Sequence, residues 1–311
     1  MINEGVGGAP PFDRIAIVGL GLIGGSVALA ARRAWPRIGI TGVDRPNVLD
    51  EARHGDVIDR ACASVAELAD VELIVLATPV RDIINQIGAI PSRLRDVVVT
   101  DVGSTKRAIM AAAAAARLTN FTGGHPMAGA GVGGFANARA DLFDGRVWWV
   151  VKGSYLFSTD SAQMGTDLRR DTARSVPISP KSVEKRYDPF VHALGARPRG
   201  IDAITHDRVM AYVSHLPQLL ASTLAGTARE AVGVDGLAGV GQGFLDMTRL
   251  AGSSTEVWRD ILATNADFVA EAARAFTEHL PATKAMLADD TAVDRLFTRG
   301  RAAREETERG L

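Results

Sequence analysis

Ile15-Ala16-Ile17-Val18-Gly19-Leu20-Gly21-Leu22-Ile23-Gly24-Gly25-Ser26 decides the fold of this chain. A short β-branched run ends in glycines spaced G-x-G-x-x-G, and the Ala-rich stretch Val27 to Arg33 that follows favours a helix. Strand, glycine turn and helix in that order are a dinucleotide-binding fingerprint. Gly19 makes the turn, Gly21 lets the backbone approach a pyrophosphate, and Gly24 lets the helix pack tightly on the sheet. The phosphate then sits at the helix N-terminus, beside Leu22 and Ile23. A second strand, Gly39 to Val43, ends in Asp44, 20 residues beyond Gly24. A carboxylate there accepts hydrogen bonds from a ribose diol and repels the extra phosphate of NADP, which favours NAD; Arg45 next door keeps NADP open. The plainer reading of Asp44, a strand-end turn residue, leaves the fingerprint standing.

The alternation continues. Asn47 to His54 reads as helix, Val57-Ile58 as a short strand, Val65 to Leu68 as helix, and Leu73 to Ala77 as a strand closed by Thr78-Pro79. Asp96 to Thr100 is another strand, followed by Asp101-Val102-Gly103-Ser104-Thr105-Lys106 and an alanine-rich helix, Arg107 to Arg117. Strands alternating with helices predict a doubly wound (Rossmann-like) parallel sheet. Ligands of such sheets lie beyond the carboxyl ends of the strands, where the turns at Gly19, Thr78, Asp101 and His125 are expected to meet, with Thr78, Pro79 and Asp101 on the cofactor. Ser104 and Asp101 each have an innocent reading as helix caps, and Lys106 as a surface lysine. His125 is harder to explain as packing. It is expected in a loop, Gly123 to Gly129, whose glycines let another molecule approach an imidazole suited to accept a proton near neutral pH.

Bulk properties exclude several classes. The chain has 311 residues, enough for two domains, and 35 Lys+Arg against 36 Asp+Glu leave no basic surface for nucleic acid. No apolar run is long enough to cross a membrane, no signal core is present, and a single cysteine, Cys62, expected to be a small buried residue, excludes an internal disulfide framework. These features predict a soluble cytoplasmic protein. Residues 1–12 read as a flexible leader, 13–200 as the nucleotide domain with a polar excursion over 152–185, and 201–311 as a second domain. Glu184 to Leu194 reads as helix and Gly195 to Pro198 as a turn. The charged tail Arg299 to Arg309 reads as a solvated helix end.

From Asp202 onward no clear strand remains. Val209, Val213, Leu216, Leu219, Leu220 and Leu224 recur at helical spacing, as do Phe268, Ala272, Ala275, Phe276, Leu280, Ala285 and Leu287, so the second domain is all-helical. Pro217 predicts a kink where Ser214, His215 and Gln218 cluster. The apolar helices are expected to bury against a second copy, giving a homodimer. Arg249 is a candidate anion clamp, with a structural ion pair to Asp246 as its plainer reading, and Trp258 reads as core.

Together, Gly19 to Ser26, Asp101 to Lys106, Gly124-His125-Pro126-Met127-Ala128-Gly129, Ala140 to Phe143, His206-Asp207, Ser214-His215-Leu216-Pro217 and Gly243 to Arg249 resemble the prephenate/arogenate dehydrogenase family, in order over about 15–265. The resemblance implies NAD-dependent oxidative decarboxylation of a cyclohexadienol, either prephenate to 4-hydroxyphenylpyruvate or arogenate to tyrosine. It implies His125 as the base, Ser104 as a second contact to the ring hydroxyl, and Arg249 as the clamp for a substrate carboxylate. Ser214, His215 and Gln218 are implied near the substrate, and no metal is required. The chain departs from the family at Ala130-Gly131, where Thr-Glu is frequent, and at Gln218, where histidine is frequent. Both positions bear on the keto-acid versus amino-acid end of the substrate. A hydroxyacid or imine reductase on the same plan predicts a catalytic Lys or Asp in the helical domain; a non-catalytic NAD-binding protein predicts binding without turnover.

Overall fold

The computed structural model describes residues 9–129, 132–151, 154–155, 175–176, 181–280 and 288–310. The fingerprint is built as its chemistry requires. Strand β1 (Arg14–Val18) turns at Gly19 into helix α1 (Leu22–Ala34), and β2 (Gly39–Val43) pairs parallel to β1. There follow α2 (Pro46–His54), β3 (Arg60–Cys62), β4 (Leu73–Leu76), α3 (Val80–Ala89), β5 (Val98–Asp101), α4 (Arg107–Ala115) and β6 (Phe121–Pro126). These strands lie in the order β3-β2-β1-β4-β5-β6, all parallel, with the crevice of the order reversal between β1 and β4.

Both faces are buried, so each strand sends alternate residues into different cores. Ile15 and Ile17 pack with Val27 and Ala28 of α1, while Ala16 and Val18 pack with Ile83 of α3 and Ile109 of α4. The sheet then departs from the all-parallel expectation. β7 (Val147–Val151) runs antiparallel to β6, and β10 (Arg197–Ile201) pairs parallel to β7, completing eight strands. Between them come a two-residue ribbon of β8 (Ser154–Tyr155) and β9 (Ser175–Val176), and α5 (Lys181–Ala193).

Other expectations are corrected. The strand placed at Val57-Ile58 forms at Arg60–Cys62 instead, and Val65–Glu67 is a single 3₁₀ turn. Of the expected turn at Gly195 to Pro198, Gly195 does turn, at φ +94°, but Arg197 and Pro198 begin β10, where Pro198 is tolerated because this is an edge strand. The flexible leader expected over 1–12 does not include Phe12, which is fully buried, meets Phe190 edge-on, and carries the Arg186 guanidinium 4.3 Å from its ring centroid; residues 1–8 lie outside the described residues. Most of the excursion 152–185, and Ala285 and Leu287, lie outside the described residues.

The second part is helical, as expected. It comprises α6 (Ala203–Met210), a π-helical turn (Ala211–His215), α7 (Leu216–Leu237), α8 (Gln242–Thr248), a 3₁₀ turn (Arg249–Gly252), α9 (Thr255–Thr264), α10 (Ala266–Glu278) and α11 (Asp290–Gly310). The break predicted at Pro217 is the π turn just before it, which re-aims the backbone where Ser214 and His215 sit. Its core is small: Ala211, Leu216, Val269 and Ala272, with Phe268 and Phe276 packed beside them. None of the described helices is long and apolar enough to cross a membrane.

Candidate active site

The nucleotide end has the expected geometry. Gly19 holds φ at +92°, and a Cβ there would come within 2.8 Å of Ala77 and Thr78. A Cβ on Gly24 would lie 1.8 Å from the Gly19 carbonyl oxygen, so the helix seats on the turn only as glycine. Gly21, at the helix N-terminus, faces open space with nothing within 4 Å of a Cβ. That is the shape a pyrophosphate needs over the N–H groups of Leu22 and Ile23. Beside it a cleft of about 570 Å³ is lined by Gly19, Asp44, Arg45, Thr78, Gln86 and Cys62. Asp44 accepts the N–H groups of Leu20 (2.6 Å) and Arg45 (2.7 Å), which fixes its carboxylate at the cleft, while Arg45 is 81% exposed. Thr78 donates to Gln86, and Pro79 leads into α3. Cys62 is half-buried in this cleft rather than fully enclosed.

His125 belongs to β6, paired with Trp149 of β7, and not to a loop. The glycines before it serve the protein's own packing. A Cβ on Gly124 would meet Asp101 O at 2.4 Å and the Tyr187 hydroxyl at 2.7 Å; one on Gly123 would press on Met110. Gly129, beyond Pro126, is the one with open space. The imidazole Nδ1 bonds His206 Nε2 at 2.9 Å, and Nε2 has no partner among the described residues. Burial, then His206, Lys106 and His215 close by, push His125 well below its ordinary value, so the ring is neutral at pH 7 with a lone pair available.

Beneath it lies a group unreadable as such in the sequence. Lys106, expected at the surface, is fully buried; its ammonium pairs with Asp101 and donates to Gly124 O at 2.6 Å. Asp101, expected on the cofactor, is also fully buried and spends its carboxylate on Lys106 and the N–H groups of Gly103 and Gly124. Burial raises Asp101 and lowers Lys106, and their mutual attraction opposes both shifts. The pair clamps the ends of β5 and β6, and thereby His125.

Neither Ser104 nor Asp101 caps α4. The cap comes from the helical domain: Asp207 accepts the N–H groups of Lys106 (2.7 Å) and Arg107 (2.9 Å). Asp207 also takes His206 Nδ1 at 2.8 Å, and Asn265 donates to its main-chain carbonyl at 2.7 Å. Arg107 extends the seam to Asp267 and Asn265 and stacks 4.2 Å from the Phe268 ring centroid. Half-buried Ser104 stands between this seam and the end of β5.

The candidate substrate residues of the helical domain divide. His215 joins the His125–His206 cluster; it is buried, accepts from Asn265 at 3.2 Å, and meets Trp258 edge-on, with burial lowering it to about 4. Half-buried Ser214 precedes it in the π turn. Gln218 is buried and donates to Leu250 O at 2.8 Å and Ser222 at 3.2 Å, with its Oε1 unpartnered, so it ties α7 to the turn that carries Arg249. Arg249 is exposed and forms no ion pair with Asp246 among the described residues; Asp246 accepts instead from Gln242. No contact among the described residues joins Arg249 directly to His125.

Comparison with known proteins agrees with this architecture. Residues 27–155 match the family described as "Prephenate dehydrogenase, nucleotide-binding domain", and 202–299 match "Prephenate dehydrogenase, dimerization domain". Prephenate dehydrogenase of Lactococcus lactis is 32% identical over 96% of this chain and 78% of its own length. Prephenate dehydrogenase of Bacillus subtilis is 30% identical over 82% of this chain, which spans 65% of that protein. The crystal structure of prephenate dehydrogenase from A. aeolicus in complex with hydroxyphenyl propionate and NAD+ superposes with a TM-score of 0.78 at 25% identity, covering 97% of this chain and 99% of that one.

Proposed function

The chain belongs to the prephenate dehydrogenase family, and from that premise we propose that it catalyses the NAD-dependent oxidative decarboxylation of prephenate to 4-hydroxyphenylpyruvate, a step of tyrosine biosynthesis. The observation that carries the reading is a neutral imidazole, His125, at the carboxyl end of β6, on the same rim as the pyrophosphate turn and with Nε2 unpartnered among the described residues. Bound NAD supplies the hydride acceptor. Gly19, Gly21, Leu22, Ile23 and Gly24 hold its pyrophosphate, Asp44 its ribose diol, and Thr78 and Pro79 border it; the carboxylate of Asp44 favours NAD over NADP, with Arg45 the residue to test.

In this mechanism the hydroxyl on the substrate ring gives its proton to His125 Nε2 as hydride leaves the same carbon. Ser104 holds that hydroxyl, and Arg249 grips a substrate carboxylate with its planar fork. Loss of the ring carboxylate as carbon dioxide then leaves an aromatic ring, which draws the reaction forward. Ser214, His215 and Gln218 border the substrate, His215 from beside the His125–His206 cluster. We assign the assembly as a homodimer through the helical domain, supported by the matched dimerization domain and by the exposed side chains Val213, Leu224, Val232 and Phe297.

Arogenate, whose side chain ends in an amino acid, is the second reading, because Ala130-Gly131 and Gln218 depart from the family at positions bearing on that end. The deciding experiment supplies NAD with each substrate in parallel. Prephenate is expected to give NADH and carbon dioxide in equal amounts, and faster than arogenate. NADH without carbon dioxide refutes the chemistry, and NAD binding without turnover of either substrate makes the chain a non-catalytic binder.

A further inference from the structure

We infer that His206 and Asp207 are positioning residues that fix the tautomer of His125, so that its Nδ1 carries the proton and its Nε2 is the base. The inference deepens the proposed function and rests on the assignment of His125 as the proton acceptor.

Asp207 is fully buried and faces four nitrogens, three of them fixed N–H donors. Oδ1 faces the Lys106 N–H at 2.7 Å and His206 Nδ1 at 2.8 Å; Oδ2 faces the Arg107 N–H at 2.9 Å and Arg107 Nε at 3.3 Å. Two backbone amides and a guanidinium have no acceptor to offer, and the bonds Asp207 accepts hold its carboxyl below the ordinary carboxylate value despite burial. Asp207 is therefore a carboxylate, and His206 Nδ1 must be the N–H that bonds it. His206 is itself fully buried, and burial, opposed by Asp207, holds it in the neutral form. Its Nε2 is then a bare lone pair. That lone pair lies 2.9 Å from His125 Nδ1, with the two rings at 66°. A lone pair bonds only an N–H, so His125 carries its proton on Nδ1. The neutral ring has one proton, which leaves Nε2 as the acceptor.

When His125 Nε2 takes the hydroxyl proton, Nδ1–H stays on His125 and its bond to His206 strengthens, because the donor is now an imidazolium. Nothing need move along the chain. The same logic operates in carboxylate–histidine triads, where exchanging the acid for its amide leaves the geometry but presents the wrong tautomer. Here one more imidazole lies between acid and base. The carboxylate that sets the chain also caps α4, so docking of the helical domain and polarity of the base depend on one side chain.

The variants have opposite expected outcomes. His206→Gln puts an amide N–H toward Asp207 and a carbonyl toward His125, preserving the order of donor and acceptor; His206→Leu offers neither; Asp207→Asn permits the reversed order. His206→Leu and Asp207→Asn are expected to lower kcat by roughly 10²-fold with little change in KM or NAD affinity. His206→Gln is expected to recover most of that loss. A second readout does not depend on activity: ¹⁵N spectra of histidine-labelled wild type, with His125 assigned by the signals that vanish in His125→Asn, should show the proton on Nδ1. A proton found on Nε2 overturns the inference even if the variants fail to fold, as does wild-type turnover by a folded His206→Leu. If the wild type acts on neither prephenate nor arogenate, the proposed function fails, and the spectra still judge the tautomer.

Discussion

The two halves of this molecule are stabilised in different ways. The sheet domain buries Ile15, Ile17, Ile74, Leu76, Val99 and Val150 almost completely between helices on both faces. Among the described residues the helical domain buries Ala211, Leu216, Val269, Ala272 and a few others, and leaves Val213 at 60%, Val232 at 54% and Phe297 at 67% exposed. Each Val or Phe side chain left in water forgoes about 1.5–3 kcal/mol that burial would contribute. The contrast shows a division of labour. The first half has two extended cores and holds His125 and the Lys106–Asp101 pair; the second has a small core and reaches across with Asp207 and His206 to bond Lys106, Arg107 and His125.

The sharpest way to break that contrast is at the base. His125→Asn is expected to lower turnover by roughly 10²- to 10⁴-fold while NAD binding, followed by fluorescence titration, stays intact. In the wild type the acid limb of kcat/KM should fall below pH 6.5, because burial beside His206 and Lys106 keeps His125 neutral there. Unchanged turnover removes His125 from the chemistry. Next in size is the sheet's internal clamp. Lys106→Met strands the buried Asp101 carboxylate and is expected to cost about 3–5 kcal/mol in a denaturant titration. A change under about 1 kcal/mol would mean that the clamp is dispensable.

The remaining predictions sharpen the helical half. Arg249→Ala should raise KM for prephenate by about ten- to a hundredfold with kcat little changed, as expected when a carboxylate clamp is lost. A fall in thermal stability alone would assign Arg249 a structural role. Phe297→Glu should weaken self-association about tenfold in sedimentation experiments while the sheet domain keeps its unfolding transition. Unaltered association would place the interface elsewhere on the helices.

Much of the sheet was legible because its signals are local. The glycine fingerprint and the alternation of strand and helix each occupy a short window, and the fold they predict is the one the strand order shows for β1 to β6. What was missed depends on distance along the chain. Lys106 looks like any lysine opening a helix until Asp101 and Gly124 close around it. Nothing near α4 announces that its cap lies 101 positions away at Asp207. The ionisable pair His206-Asp207, in a helix otherwise patterned for burial, was the one available hint. β10 was obscured because Pro198 and Gly200 suit a turn as well as an edge strand. The glycines beside His125 were seen correctly as a demand for space, but the space is taken by Tyr187, Trp148 and Asp101 of the protein itself.

The seam at the start of α4 has a consequence for anyone recombining relatives of this enzyme. Asp207 satisfies amides that belong to the other domain, and Arg107 reaches back to Asp267 and Asn265. A hybrid joining this sheet to a foreign set of helices inherits two stranded backbone donors unless an acid arrives at position 207, and an unanswered guanidinium unless positions 265 and 267 also supply acceptors. The crossover between domains is therefore a matched lock, and shuffling libraries should exchange residues 106–107, 206–207, 265 and 267 as one cassette.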